Sequence, residues 1–216
     1  MGEHTAEDRG VEGSIPSRPI TDLTMEDITF ELKRKLFHLT TIFLIPLYYF
    51  VSLYSGKFVA LLVFGAILVL FLFIEVIRAF TKRKLPIFGA LYRNNEKIGT
   101  NVYIVFGAII AFAFFDFRIA STAILMATLG DMAAALVGIS CGKHWLKFIK
   151  NCAWEGIIAE FFVDFVIAMI ILKNLPIAII MSLVATFVET TFTKIDDNLG
   201  VPVLSGLTAQ LLSKIF

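Results

Sequence analysis

Five groups of polar residues stand out against an otherwise apolar chain, and each has a spacing that chemistry could use. The first is Glu31, Arg34, Lys35 and His38. At 100° per residue these four fall within an arc of about 100°, while Lys33 points away. One helix face thus presents an acid, two cations and an imidazole, a combination suited to gripping a polyphosphate. Read blandly, Lys33, Arg34 and Lys35 only anchor the topology and His38 is an interior histidine. The second group is Arg93, Glu96, Lys97 and Asn101, which share a helical face; by itself this is a weak signal, since basic loop residues usually only anchor. The third runs from Gly130-Asp131 through Ala133, Ala134 and Ala135 to Gly138, Gly142, Lys143 and His144. Asp131 lies inside an apolar run, where a carboxylate is costly unless it faces water, a cation or a metal, so a functional role is its default reading. The small residues after it suit close helix packing equally well. The segment is not a phosphate-binding P-loop, because the GxxxxGK[ST] spacing is absent and His144 follows the lysine.

The fourth group is Trp154-Glu155-Gly156, with Glu160 and Asp164 an i,i+4 pair further along. Acids so placed bind an ion or pair with cations of another helix; the spacing does not choose. The fifth is Glu189 followed by Asp196-Asp197-Asn198 and Pro202. Adjacent acids and an amide at a helix end resemble a Mg²⁺ site, since hard cations take oxygen ligands and retain several waters. An Asx-type turn between two helices accounts for the same residues.

The elements that must position these groups are read from composition. Of 216 residues, 58% are hydrophobic, and the mean hydropathy is +0.84, far above a soluble globular chain. A net charge of +1 supplies no basic field for nucleic acid. Residues 1–24 are polar and read as a disordered tail, not a signal peptide. Residues 25–35 suit an amphipathic interfacial helix. Apolar stretches follow at 36–54, 58–80, 98–115, 119–139, 154–172, 175–192 and 201–216, most of them about 17–23 residues, the length that crosses a bilayer. The last is short and carries Gln210 and Lys214. The expectation is an all-α, polytopic transmembrane helical bundle of about seven spans, forming a single domain over residues 25–216.

Fifteen of the 19 Lys and Arg residues fall on one side of that arrangement, against Lys57, Arg118, Lys173 and Lys214 on the other. The positive-inside rule then makes the N-terminus cytoplasmic. Most acids fall at the same cytoplasmic ends, as an active site at one interface requires. Cys141 and Cys152 are expected to be reduced thiols in that compartment.

Taken in order, Glu31…Arg34-Lys35…His38, Gly130-Asp131…Gly138…Gly142-Lys143, Glu155-Gly156 and Asp196-Asp197-Asn198…Pro202 resemble the dolichol kinase, phytol kinase and CTP-dependent diacylglycerol kinase (polyprenol kinase) family. The resemblance covers nearly the whole chain from residue 28. It implies transfer of the γ-phosphate of CTP to the hydroxyl of a membrane lipid alcohol, with Mg²⁺ as cofactor and the lipid bilayer as setting. It implies Asp131 and Glu155 as catalytic residues and Glu31, Arg34, Lys35, His38, Arg93 and Lys143 as phosphate-binding residues. Asp131, Glu189, Asp196, Asp197 and Asn198 are the implied metal ligands. The chain departs from the family in carrying Cys152-Ala153 where a Lys-Ser pair is usual, and in placing an acid at Glu160. A phospholipid cytidylyltransferase shares part of this pattern, but its C-terminal Gly-Gly…Asp-Arg ending is absent here. A non-catalytic membrane scaffold or small transporter is the reading from a different class.

Overall fold

The structure is a computed structural model, and it describes residues 25–81, 98–146, 152–192 and 195–215. The expected tail (1–24), Arg93, Glu96 and Lys97 lie outside the described residues, as does the side chain of Glu31.

Among the described residues the fold is all-helical apart from one two-stranded ladder. Helix α1 (Met25–His38) passes through a 3-10 segment (Leu39–Phe43) into α2 (Leu44–Thr81). Then come α3 (Thr100–Phe114) and α4 (Phe117–Leu125). A π turn, Met126–Gly130, leads from α4 into α5 (Asp131–Cys141). Strands β1 (Trp145–Leu146) and β2 (Cys152–Ala153) pair antiparallel, and α6 (Trp154–Leu172), α7 (Leu175–Thr191) and α8 (Asp197–Leu212) complete the chain. Continuous helix is the form that satisfies backbone groups within a single apolar segment, which is why apolar runs of this length adopt it.

The run assigned to α2 is two helices. Gly56 interrupts it with φ 85° and ψ 161°, a conformation open to glycine because it has no Cβ. Tyr48 and Phe64 lie on opposite sides of that break with ring centroids 5.9 Å apart, whereas a straight helix would separate them by about 24 Å. The chain therefore reverses at Gly56, in the gap expected between stretches 36–54 and 58–80. Tyr48 also stacks on Phe112 of α3 at 3.9 Å, and the Lys57 ammonium donates to the Ala113 carbonyl. Both contacts dock the hairpin on α3.

Small residues let the remaining helices approach closely. Gly156 of α6 lies against the Ala134 carbonyl of α5, and Gly107 of α3 against the Asn198 carbonyl of α8; a Cβ at either glycine would come within 2.7 Å of that oxygen. Asn198 is also the residue whose carbonyl Pro202 cannot serve, because proline has no N–H. At the other end of α8, Gln210 accepts from the Asp116 amide at 2.8 Å and donates to its carboxylate at 3.1 Å. Helix α8 therefore runs alongside α3 from Asn198 to the α3–α4 corner. It begins four residues earlier than the apolar stretch 201–216, because Asp196 caps it and accepts from the Asn198 amide.

Among the described residues two helical runs are long and apolar enough to cross a membrane, Leu32–Phe80, which contains the reversal at Gly56, and Phe117–Cys141; Thr100–Phe114 and Leu175–Thr191 are shorter apolar helices. The expectation of about seven spans exceeds what length and composition alone carry, since α3 and α8 have 15 and 16 residues and α6 bears three acids. The outward faces are nevertheless apolar: Leu53, Phe58, Phe80, Phe114, Phe162 and Phe187 are all exposed.

Candidate active site

Helix α1 delivers three side chains inward. Arg34, Lys35 and His38 are buried while Lys33 is exposed, which is the division expected from 100° per residue. The Lys35 ammonium forms an ion pair with Asp131 Oδ2. Asp131 opens α5 directly after the π turn, a local widening that frequently accompanies functional positions because it re-aims the side chains that follow. The approach of α1 is fixed by one further contact: Thr41, in the 3-10 segment, shares a 2.9 Å hydrogen bond with Thr128 of the π turn. The Thr128 hydroxyl in turn donates to the Ile124 carbonyl, so the pair is ordered from α4.

Three other helices bring acids to the same place. Glu160 and Asp164 of α6 are buried, and the Asp164 carboxylate occupies the space that a side chain at position 130 would fill. Glu189 is buried near the end of α7, and Asp197 and Asn198 are buried in the first turn of α8. Asp131, Asp197, Arg34, Lys35 and His38 lie within electrostatic reach of one another. Glu189 and Glu160 lie within reach of Asp131, Asp197 and Lys35. Five buried carboxylates thus surround two cations and one imidazole. Such an excess of negative charge in a low dielectric is stable only with protons or further cations present.

Of the residues expected to form a site, Arg34, Lys35, His38, Asp131, Glu189, Asp197 and Asn198 converge. Asp196 stands at the edge, half-buried, its Oδ1 accepting from the amide and the side chain of Asn198 at 3.0 and 2.8 Å. That is the Asx-type capping role. Lys143 and Glu155 are elsewhere. Lys143 is exposed two residues beyond Cys141, the last residue of α5, which is itself about 15 Å of helix rise from Asp131. The Glu155 carboxylate holds His144, with Oε1 2.8 Å from Nδ1 and Oε2 3.4 Å from the backbone N–H.

The sequence leaves Glu160 and Asp164 between two roles; their burial beside Asp131 assigns them to the cluster. Thr41 and Thr128 carry no sequence signal, since a threonine within an apolar helix is ordinary. Asp131 Oδ1, Glu160 Oε2 and Asp164 Oδ1 are buried with no hydrogen-bond partner among the described residues. Such orphaned oxygens are hard donors of the kind that suit Mg²⁺. Among the described residues no three His, Cys, Asp or Glu side chains form a ready metal cage. Mg²⁺ needs none, because it is commonly held by one or two carboxylates, with waters and substrate phosphates completing its shell. Cys141 is exposed and Cys152 buried, and neither is in a disulfide.

Comparison with known proteins adds a relative and no activity. No family model matches the chain, and no solved structure matches it. An uncharacterized protein of Rickettsia prowazekii (strain Madrid E) is 27% identical over 210 residues, covering 88% of this chain and 98% of the relative. The likeness extends over nearly the whole of both chains.

Proposed function

We propose that this protein is a multi-pass membrane enzyme of about seven spans, a CTP-dependent kinase of lipid alcohols with its site on the cytoplasmic face. The observation that carries the reading is the convergence of Arg34, Lys35 and His38 on Asp131, Glu189 and Asp197 in one buried cluster. It gathers cations for a polyphosphate and oxygens for a divalent ion at one end of the bundle, in the order in which the polyprenol kinase family carries such residues. The position of the cluster supports an interfacial site. Asp131 stands about 22 Å of helix rise from Asp116 and Asp197 about 20 Å from Gln210, and Asp116 and Gln210 are bonded to each other at the far end. Both acids therefore lie on the side of the bundle away from Asp116, with Asp131 about 15 Å of helix rise inside the end of α5 at Cys141.

Phosphoryl transfer needs positioning and neutralisation of charge more than covalent chemistry. Arg34 and Lys35 neutralise the triphosphate. Asp197 and Glu189 would hold Mg²⁺, which when bound draws charge from the phosphate oxygens. The lipid hydroxyl oxygen forms a bond to the γ-phosphorus as the bond to the β–γ bridging oxygen breaks, and CDP leaves. Asp131, with Oδ2 on Lys35 and Oδ1 free, receives the hydroxyl proton.

The test is incubation of the purified full chain with γ-labelled CTP, Mg²⁺ and a panel of polyprenol, dolichol, phytol and diacylglycerol. Labelled lipid phosphate is expected, and Asp131→Asn should lower its formation by about 10²-fold or more while the protein stays folded in detergent. No labelled lipid from any acceptor, or near-normal turnover by Asp131→Asn, refutes the reading.

A further inference from the structure

The hydrogen bond between Thr41 and Thr128 joins residues 87 positions apart, and both side chains are buried. Thr41 is the buried residue of the 3-10 segment, while Phe43, two residues on, is exposed. A hydroxyl is thus turned inward where an aromatic ring is turned out, and a buried hydroxyl has to find a partner. The direction of the bond follows from its neighbours. Thr128 has one hydroxyl proton, and it is donated to the Ile124 carbonyl at 2.9 Å. Thr41 is therefore the donor to Thr128.

Spacing ties this bond to the charged cluster. Lys35, His38 and Thr41 follow one another at intervals of three, and His38 and Thr41 stand nearly in line because a 3-10 helix turns once in three residues. Across the interface Thr128 precedes Asp131 by three residues, and Asp131 pairs with Lys35. The chain from α1 into the 3-10 segment is thus tied at two points to the π turn and the start of α5. One contact leaves a helix free to swing about it; two fix its direction. Thr128 is a firm post for the second contact, since its hydroxyl braces the π turn against α4.

We propose that the Thr41–Thr128 hydrogen bond is a positioning pin, which holds α1 in the direction that readies Arg34 and Lys35 for the nucleotide's phosphates. The proposal rests on the kinase reading for the identity of the ligand. Both threonines are positioning residues, acting through Lys35 and Asp131. Without the pin, α1 spends only part of its time in the binding-competent direction. Apparent affinity falls by that fraction, while the bound complex turns over as before. A merely structural role has a different signature: fewer folded molecules, a lower apparent kcat and an unchanged affinity.

The experiment makes two measurements on the full chain in detergent, for wild type, Thr41→Val, Thr128→Val, the double variant and Thr128→Ser. The first is the distance distribution between spin labels at positions 33 and 158, exposed sites on α1 and α6, in a background lacking Cys141 and Cys152. The second is equilibrium binding of labelled CTP with Mg²⁺, alongside lipid phosphorylation resolved into kcat and KM. Either valine variant should broaden the distribution and weaken CTP binding about fivefold, the worth of one neutral hydrogen bond, with kcat per folded molecule unchanged. The double variant should be no worse than the singles, because the same bond is lost in all three. Thr128→Ser should restore both readouts. Distributions as narrow as wild type in both valine variants overturn the pin, as do losses that add in the double variant or fall on kcat alone. Normal lipid phosphorylation by variants with wild-type CTP affinity removes the pin and leaves the kinase reading standing. CTP binding that responds to the variants, without transfer to any lipid, does the reverse.

Discussion

The ion pair between Lys35 and Asp131 should be asymmetric, because its surroundings are. Both side chains are almost wholly buried, at 3% and 4% exposure, so solvent screening discounts the interaction little. Replacing Lys35 with Met keeps most of the volume but leaves Asp131 among Asp197, Glu189 and Glu160 with one cation fewer. Breaking a buried pair so as to strand a charge costs about 3–5 kcal/mol. Asp131→Asn strands much less, because Lys35 still lies within reach of Glu160 and Glu189. Its cost is closer to that of one charged hydrogen bond, about 1.5–3 kcal/mol. Lys35→Met should therefore be less stable than Asp131→Asn by about 2 kcal/mol, roughly 30-fold in the folding equilibrium. The double variant should recover part of the Lys35→Met loss. Reversible unfolding by SDS in mixed micelles measures all four proteins of the cycle. Equal losses in the two single variants, or strict additivity in the double, would mean that the acids around Asp131 do not act on it, and the charge argument for the cluster would fail.

On helix α1, Arg34→Ala should lower the use of CTP by about 10²-fold or more, whereas Lys33→Ala, which removes the same charge from an exposed position, should change it little; equal effects in a steady-state transfer assay would make both residues membrane anchors. Gly130→Ala drives a methyl group into the Asp164 carboxylate and should cost about 1–3 kcal/mol, with Asp164→Ala in the same chain recovering part of it. The unfolding measurement refutes this if Gly130→Ala is neutral. For topology, single cysteines at positions 143 and 195, both exposed, in a background lacking Cys141 and Cys152, should react with an impermeant thiol reagent only from the cytoplasmic side, and one at position 214 only from outside. Labelling of 143 and 195 from outside would invert the protein and remove the proposed site from CTP.

Much of the fold was legible because apolar segments of this length have few conformational options. The stretch 154–172 coincides with α6, and 175–192 overruns α7 by one residue. The orientation of α1 followed from angle alone, which put Lys33 outside and Arg34, Lys35 and His38 inside. Asp131 was conspicuous because a carboxylate in an apolar run needs a reason. What escaped were pairings between residues distant in sequence. Thr41 meets Thr128 only because helices pack in a particular register, and Glu155 meets His144 only because the β1–β2 ladder folds the chain back; no local pattern encodes either. Glycine had a similar limit. Gly130 belonged to a recognisable motif, but its use as a socket for Asp164 appears only when α5 and α6 are packed antiparallel.

The cluster's charge also constrains the order in which ligands arrive. Asp131, Glu160, Asp164, Glu189 and Asp197 surround Arg34 and Lys35, so a bare triphosphate would meet more acids than bases. Like charges brought together in a desolvated site repel strongly. Two cations suffice to orient such a ligand, but every one of the five acids that is ionised opposes it. Nucleotide binding at this site is therefore expected to depend on a divalent cation carried with the phosphates. Binding of labelled CTP to the full chain in detergent should fall by about 10²-fold or more when EDTA replaces Mg²⁺, a loss of about 2.7 kcal/mol or more. Asp197→Asn, which removes a negative charge and an oxygen ligand together, should weaken the Mg²⁺-dependent binding while easing the EDTA case. If CTP binds equally well with and without Mg²⁺, the acids do not face the phosphates. The nucleotide would then have to be sought away from Asp131.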